Sequence, residues 1–317
     1  MARSQDDTVL CLSQIRFFSR GTMTMDIQPF EQTTLGAVVT GVDLNQLSET
    51  EWASILNAFH SHAALLFPGQ YLSAEAQTAF GQRFGEIEPV REKDKSFGIS
   101  NRKEDGSVYK ADDFRFKALR GNEGWHHDST YMPVSAKAGL LSAIDVPETG
   151  GETELADMRA AYEALTDDER QQIAGLEAYH SLYASQAKIG HIVESGAGYG
   201  YGEQGAPLRP LVKTHPVTGQ PCLCIGRHAH RIPGMGDDAA QALLDELLDN
   251  ACQPPRVYSH HWTPGDLLIW DNRCVLHRAR PYDFSEARVL QGTRIAGDPA
   301  TEWAPSGEDK FANLGAA

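Results

Sequence analysis

The sequence predicts a mainly β fold with helical insertions, arranged as a double-sheet jelly roll. Most apolar stretches are short and end at glycine or proline turns, which is typical of strands. Helical spacing of apolar residues is confined to a few stretches gathered between the strands. No internal repeat or clear boundary divides the 317 residues. We therefore expect one domain over residues 25–317, preceded by a loose extension at residues 1–24.

Strands and helices alternate irregularly in the first half of the chain. Ser48 and Glu51 form a capping box, which predicts a helix that runs to about residue 60. A second helix is expected from Ser73. Residues 91–120 are rich in charge and read as a solvated loop, although a loop there could also form part of a pocket wall. Strands are predicted at 35–44, 63–67 and 138–146.

The second half contains a glycine-rich segment, residues 180–208. It lacks both a preceding strand and a Gly-Lys-Ser/Thr sequence, so we reject a phosphate-binding loop and predict a mobile loop or active-site lid. Leucines and alanines at helical spacing predict an amphipathic helix over 240–248. Further elements are a helix at 158–165 and strands at 211–214, 222–225, 266–270, 274–280 and 288–295.

Composition excludes several classes of partner. The formal net charge is −15 and the isoelectric point about 5.2, which argues against nucleic acid and anionic membranes as partners. No continuous apolar stretch is long enough to span a bilayer. The five cysteines form no Cys-x-x-Cys pair and read as reduced thiols, which favours a cytoplasmic protein.

The stretch Trp125-His126-His127-Asp128 contains two candidate metal ligands. In an extended strand, His126 and Asp128 would point to one face while His127 points to the other. Imidazole and carboxylate together suit iron, manganese or zinc. A lone His-x-Asp sequence is more often a surface strand or a satisfied polar pair, so this motif needs support from elsewhere in the chain.

That support lies near the C terminus. His277, inside a predicted strand, can supply a third ligand, and Arg288 follows it across a turn. A guanidinium grips a carboxylate through two parallel hydrogen bonds, so Arg288 suits a dicarboxylic co-substrate. Three hypotheses remain at this point: an iron-dependent oxygenase, a metal-dependent hydrolase or isomerase with zinc at the same residues, and a non-catalytic protein that binds a small molecule.

Seven stretches together resemble one family. They are LGAVVTGVDL, LLFPGQ, WHHDSTY, VPETGGET, THPVTG, LIWDNRCVLHRA and the final strand with AGDP, and they span roughly residues 30–300. The chain resembles the taurine dioxygenase / 2,4-dichlorophenoxyacetate dioxygenase (TauD/TfdA) family. The resemblance implies a TauD-like jelly roll, a small organic substrate that is hydroxylated, Fe(II) as the metal, and 2-oxoglutarate and O2 as co-substrates that yield succinate and CO2.

The resemblance also implies roles for particular residues. The family's metal triad falls on His126, Asp128 and His277. The residues that hold 2-oxoglutarate fall on Thr153 and Arg288. The family's oligomers suggest a homodimer or homotetramer.

Substrate recognition is the part that the sequence leaves open. Asn122 stands where the family often contacts substrate, but a turn residue is an equally good interpretation. Gly292 replaces an arginine that binds the substrate anion in several members, which puts anion recognition in doubt and leaves room for a bulkier substrate. Arg294 could substitute from the same strand face, and Arg227 is another candidate.

Overall fold

The computed structural model describes residues 24–90 and 97–312. Its helices are α1 (Glu49–His62), α2 (Ala74–Gln82), α3 (Phe114–Gly121), α4 (Met158–Glu163), α5 (Asp167–Ile173), α6 (Leu182–Ala187), α7 (Asp237–Ala251) and α8 (Pro299–Glu302). Its strands are β1 (Asp26–Pro29), β2 (Ala37–Thr40), β3 (Ala64–Phe67), β4 (Phe97–Ser100), β5 (Ala138–Asp145), β6 (Thr153–Asp157), β7 (Glu177–His180), β8 (Ala206–Pro210), β9 (Val212–Thr214), β10 (Pro221–Leu223), β11 (Ala229–His230), β12 (Val257–His260), β13 (Leu267–Asp271), β14 (Val275–Ala279), β15 (Val289–Ile295) and β16 (Ser306–Gly307).

The largest sheet has seven strands in the order β1-β2-β3-β13-β5-β15-β4. Neighbours are antiparallel except β2 and β3. Both faces of the central strands are buried, which explains why β13 reads as a continuous apolar run. Successive side chains alternate between faces: Leu267 and Ile269 join one apolar cluster, while Leu268 and Trp270 join another.

Helices α1 and α2 cover one face of this sheet. Ile55 and Phe59 of α1 and Phe80 of α2 pack in the same cluster as Leu267 and Ile269. The predicted capping box at the start of α1 is confirmed, because Ser48 accepts from the Glu51 amide and Glu51 accepts from the Ser48 amide. Burial of each large apolar side chain stabilises this layer by about 1.5–3 kcal/mol.

The other face of the large sheet packs against a three-stranded sheet with the order β12-β6-β14. Leu155 of β6 and Leu276 of β14 share one apolar cluster with Leu268 and Trp270 of the large sheet. Helix α7 closes this cluster with the leucine face predicted for residues 240–248. Residues of both sheets line one cavity, and the polar residues of the predicted site are among them.

The structure corrects four local predictions. The segment 180–208, predicted to be a loop without a preceding strand, begins at the end of β7 and contains α6 and the start of β8. Residues 126–128 form no strand beyond a single bridge between His126 and His277. The charged stretch 91–120 contains helix α3 rather than a loop throughout. Within 35–44 only Ala37–Thr40 is strand. The predicted extension at 1–24 lies outside the described residues except for its last residue. None of the described helices combines the length and apolar character that crossing a bilayer requires.

The buried histidine His230 in strand β11 makes the free energy of unfolding depend on pH. Burial lowers the pKa of His230 to about 4, opposed only in part by Asp309, with Arg231 and Lys188 also facing the ring. In the unfolded chain the histidine has its ordinary pKa of about 6.5, so on acidification the unfolded chain is protonated before the folded protein. The contribution of neutral His230 to the free energy of unfolding is therefore complete above about pH 6.5 and is lost as the pH falls towards 4. We expect His230→Gln to reduce the pH dependence of unfolding by on the order of 1 kcal/mol per pH unit across that interval. Urea unfolding at pH 7.5, 6 and 5 measures it.

The matched control for this prediction is a histidine in contact with solvent. The side chain of His261 is 81% exposed, so His261→Gln should leave the pH dependence of the urea midpoint as in the wild type. Equal slopes for the wild type and His230→Gln would contradict the assignment to His230.

Candidate functional site

A cavity of about 680 Å³ opens between the two sheets. His126, Asp128, Thr153, His277 and Arg288, the five residues predicted for metal and 2-oxoglutarate, all line it. Its remaining wall is largely aromatic and aliphatic, with the rings of Phe97, Phe114, Tyr131, Tyr199 and Tyr201. A mostly apolar cavity with a few convergent polar groups is the usual form of a small-molecule site.

His126 and His277 are held together by their backbones. The amide of His126 donates to the His277 carbonyl at 3.0 Å, and the amide of His277 donates back at 2.9 Å. Asp128 is fixed by Asn272, whose side chain accepts from the Asp128 amide at 2.7 Å and donates to its carbonyl at 3.0 Å. These contacts fix the backbone of all three residues before any ligand binds, which favours a preformed site.

The donor atoms of His126, Asp128 and His277 all lie within 4.8 Å of one another. His126 Nδ1 lies 2.8 Å from the Gly124 carbonyl, which can only accept, so Nδ1 carries the proton and Nε2 keeps a lone pair. His277 Nε2 lies 3.8 Å from Asp128 Oδ2. Two imidazoles and one carboxylate on one side of a cavity fit Fe(II) or a similar divalent cation.

The surroundings keep these groups in the protonation states that metal binding requires. Burial lowers the pKa of His126 to about 4 and that of His277 well below its ordinary value, so both rings are neutral at pH 7. Burial alone would raise the pKa of Asp128, but Arg294 and the two histidines hold it below its ordinary value. The site therefore offers two neutral imidazoles and one carboxylate.

A second group of potential ligands, His215, Asp271 and Cys274, lies elsewhere in the core. There the Asp271 carboxylate is already occupied, because Arg273 donates to both of its oxygens at 2.8 and 2.6 Å. His215 Nε2 lies 3.0 Å from the same carboxylate. The cation that Asp271 neutralises is therefore Arg273, and we interpret this group as a structural network.

Thr153 and Arg288 meet on the cavity wall. Arg288 Nη2 lies 3.5 Å from Thr153 Oγ1, and Arg288 Nε donates to the Gly151 carbonyl at 2.8 Å. Gly151 has φ +69°, and a Cβ there would lie 3.0 Å from the Arg288 side chain, so glycine permits the close approach of Arg288 to this turn. Trp262 Nε1 donates to Thr153 Oγ1 at 3.0 Å, which leaves the threonine proton available to a ligand oxygen.

Arg288 is a buried cation without a carboxylate partner among the described residues. Burial lowers the pKa of its guanidinium to about 10, which still leaves it charged at neutral pH. A buried charge is normally paired, so a guanidinium that lines a cavity in this state is suited to a ligand carboxylate.

The four residues predicted for substrate contact have different environments. Asn122 is the C-cap residue of α3 and lines the cavity, so it is at once a turn residue and a wall residue. A Cβ on Gly292 would lie 2.7 Å from the Phe97 ring, so the expected room for a bulkier substrate is taken by Phe97. Arg227 donates to the carbonyls of Gly121 and Ser185 and lines a second cavity of about 540 Å³. Arg294 lines the main cavity but is bonded to Asp128.

Sequence reasoning missed several residues that shape the site. Asn272 and Trp262 position Asp128 and Thr153 through hydrogen bonds that no sequence spacing reveals. Helix α3 adds Phe114, Arg115 and Leu119 to the cavity wall. The signal for α3 was present as apolar residues at positions 114, 118 and 119, but the surrounding charge masked it.

Comparison with known proteins agrees with this geometry. The family profile described as "Taurine catabolism dioxygenase TauD, TfdA family" matches residues 26–294. The (S)-phenoxypropionate/alpha-ketoglutarate-dioxygenase of Sphingobium herbicidovorans is 49% identical over 285 residues, which cover 88% of this chain and 97% of that relative. The alpha-ketoglutarate-dependent 2,4-dichlorophenoxyacetate dioxygenase of Cupriavidus pinatubonensis is 38% identical over 269 residues, which cover 80% of this chain and 92% of that relative.

Solved structures give the same result. The crystal structure of AAD-2 in complex with Mn(II) and N-oxalylglycine matches with a TM-score of 0.81 and 36% identity, and the match covers 90% of this chain and all of that one. Alpha-ketoglutarate is another name for 2-oxoglutarate, and the donor set found here suits the same kind of metal. The chain therefore belongs to the TauD/TfdA family of Fe(II)- and 2-oxoglutarate-dependent dioxygenases.

Proposed function

We propose that this dioxygenase hydroxylates a small aryloxy carboxylic acid of the phenoxypropionate type. The observation that carries the proposal is a single cavity lined by His126, Asp128 and His277, by a largely aromatic wall and by the Arg288 guanidinium, which has no carboxylate partner among the described residues. The identity of 49% with the (S)-phenoxypropionate dioxygenase supports the choice of substrate class.

Each polar group of the cavity has a distinct role in this proposal. His126, Asp128 and His277 bind the metal, and Arg288 with Thr153 binds the distal carboxylate of 2-oxoglutarate. When bound, Fe(II) and 2-oxoglutarate supply the oxidising power for hydroxylation by O2, with succinate and CO2 as products. The protein orients both molecules and excludes water from the space between them.

The wall of the cavity suits an aromatic substrate with an acidic group. Phe97, Tyr131 and Tyr201 offer ring faces and edges against which an aryl ring can pack. Arg115 of α3 brings a guanidinium to the same wall, and Asn122 brings an amide. We assign the substrate carboxylate to Arg115, which stands on helix α3 in the wall of the main cavity and also donates to the Gly98 carbonyl. Arg294 is bonded to Asp128, and Arg227 lines the second cavity.

The substrate proposal predicts which compounds stimulate succinate formation. With Fe(II), 2-oxoglutarate and O2, 2-phenoxypropionate should outperform taurine and simple amino acids. Its neutral methyl ester should be at least about tenfold poorer in kcat/KM, since losing a hydrogen bond to a charged group costs about 1.5–3 kcal/mol. Succinate measured by chromatography gives the rates.

Variants of the two arginines separate the possible anion contacts. Arg115→Gln should lower kcat/KM for the acid and leave the rate with the ester unchanged, whereas Arg227→Gln should affect acid and ester equally. Equal rates with acid and ester in the wild type would contradict an anionic substrate. Acid preference that survives Arg115→Gln would contradict the role of Arg115.

The remaining features of the proposal concern architecture and context. The seven-stranded and three-stranded sheets that enclose the cavity support a double-stranded β-helix, or jelly roll, within one domain over 25–317. Residues 180–208 act as a lid, which is supported by the cavity-lining positions of Leu182, Gln186 and Tyr199.

We further propose a cytoplasmic homodimer or homotetramer. The four free thiols among the described cysteines support the reducing compartment.

A further inference from the structure

Arg294 lies between two buried carboxylates at the edge of the metal site. Its Nη2 donates to Asp128 Oδ1 at 2.6 Å, and its Nε lies 3.7 Å from Glu88 Oε2. Glu88 is attached to the same strand, because its amide donates to the Arg294 carbonyl at 2.9 Å. The guanidinium is therefore fixed relative to both acids by side-chain contacts, and relative to Glu88 by a backbone contact as well.

Ser129 and Tyr199 complete this network. Ser129 follows the proposed ligand Asp128 directly and has φ +58°, a left-handed conformation that few residues other than glycine adopt. That conformation places its hydroxyl 3.1 Å from Arg294 Nη1 and 3.1 Å from Glu88 Oε2. The Tyr199 hydroxyl donates to Glu88 Oε1. Backbone strain beside a proposed ligand is a reason to look for a functional role.

The guanidinium is also enclosed by aromatic rings. Arg294 Cζ lies 5.6 Å from the centroid of Phe97 and 5.8 Å from that of Tyr199. With rings beside it and Asp128 bonded to its tip, Arg294 is poorly placed to bind a substrate anion. Its contact instead occupies Oδ1 of Asp128, while Oδ2 lies 3.8 Å from His277 Nε2.

We propose that Arg294 is a positioning residue that holds Asp128 by Oδ1 and thereby presents Oδ2 to the metal. The inference rests on the proposed metal site. Partners that hydrogen-bond to metal ligands fix ligand orientation, and their loss typically weakens metal binding by about 10- to 100-fold. Sequence position alone had suggested Arg294 as a substrate contact, and the bond to Asp128 reassigns it.

A role in charge balance alone makes the opposite prediction. If Arg294 only neutralises Asp128 and Glu88, removing it would leave two buried carboxylates that attract a divalent cation more strongly. Metal affinity would then rise in Arg294→Met. If Arg294 orients Asp128, metal affinity falls in spite of the added negative charge.

The experiment measures Mn(II) affinity by titration calorimetry without co-substrate, for the wild type, Arg294→Lys, Arg294→Met and the double variant Glu88→Gln/Arg294→Met. The double variant removes one charge of each sign, so the net charge of the network stays as in the wild type, yet it lacks the guanidinium that orients Asp128. We expect Arg294→Met and the double variant both to bind Mn(II) about 10- to 100-fold more weakly, with Arg294→Lys in between. Arg102→Met removes a comparable Arg–Asp pair outside the cavity and should bind Mn(II) as the wild type does.

A second readout separates orientation from general damage. At saturating Mn(II), the affinity for N-oxalylglycine, the dicarboxylate found with AAD-2, depends on Arg288 and should stay within about threefold of the wild-type value in Arg294→Lys. Melting temperatures of the metal-free variants test folding. If Arg294→Met is unstable, Mn(II) affinity is compared in Arg294→Lys and in the double variant instead. Mn(II) affinity that is unchanged or higher in Arg294→Met, or restored in the double variant, overturns the inference. Wild-type protein without Mn(II) affinity would instead overturn the proposed metal site.

Discussion

His277→Ala should abolish metal binding and succinate formation together. The variant removes one of three donor groups that lie within 4.8 Å of one another, and alanine offers no replacement. We expect Mn(II) affinity to fall by more than about 100-fold, because changes to the outer partners of metal ligands alone cost about 10- to 100-fold. Titration calorimetry with Mn(II) and an assay of succinate formed from 2-oxoglutarate with Fe(II) measure the two effects.

Loss of the His277 ring also leaves a space beside Trp270, whose ring centroid lies 4.4 Å from that of His277. The melting temperature of the metal-free variant must therefore be compared with that of the metal-free wild type. His261→Ala is the matched control, since it removes an exposed imidazole and should leave Mn(II) affinity unchanged. Wild-type Mn(II) affinity in His277→Ala would contradict the metal site.

The same titrations separate the oxygenase from the hydrolase and the binding protein considered from sequence. A zinc hydrolase on this triad would bind metal but would not bind N-oxalylglycine in a metal-dependent way. In a binding protein that uses no metal, His277→Ala would leave ligand binding unchanged. Only the oxygenase requires that metal and dicarboxylate occupy the cavity together.

Spacing along the chain indicated which side chains lie together where those residues are close in sequence. His126 and Asp128 are two residues apart and share a cavity even though no strand forms there, because the bridge to His277 keeps the backbone extended at His126. Thr153 follows a glycine pair whose conformations permit the close approach of Arg288. In these places a local sequence rule and the tertiary structure agree.

The features that the sequence did not indicate depend on contacts between distant segments. Nothing near Gly292 in the chain indicates that Phe97, almost two hundred residues earlier, occupies the space beside it. Arg294 was interpreted from its strand face alone, whereas its side chain contacts Asp128 and Glu88 from two other segments. Pairing across such distances is set by strand order, which periodicity does not reveal.

Arg288→Ala should separate co-substrate binding from metal binding. The guanidinium is buried, lines the cavity and lies 3.5 Å from Thr153, so its loss removes the partner proposed for the distal carboxylate of 2-oxoglutarate. Truncating one partner of a buried, hydrogen-bonded charge pair costs about 2–5 kcal/mol, so we expect the KM for 2-oxoglutarate to rise roughly 30- to 5,000-fold. Mn(II) affinity should stay close to that of the wild type, because Arg288 does not contact the metal triad.

A co-substrate without the distal carboxylate makes this test specific. 2-Oxovalerate has the same chain length as 2-oxoglutarate but ends in a methyl group, so the wild type should strongly prefer 2-oxoglutarate while Arg288→Ala should lose most of that preference. Arg280→Ala, which removes a half-exposed guanidinium near Glu154, should keep the wild-type ratio. A preference retained in Arg288→Ala would show that another group binds the distal carboxylate. A loss of Mn(II) affinity in that variant would show that Arg288 supports the metal site itself, since Arg288 directly precedes β15, the strand that bears Arg294, and both side chains line the cavity.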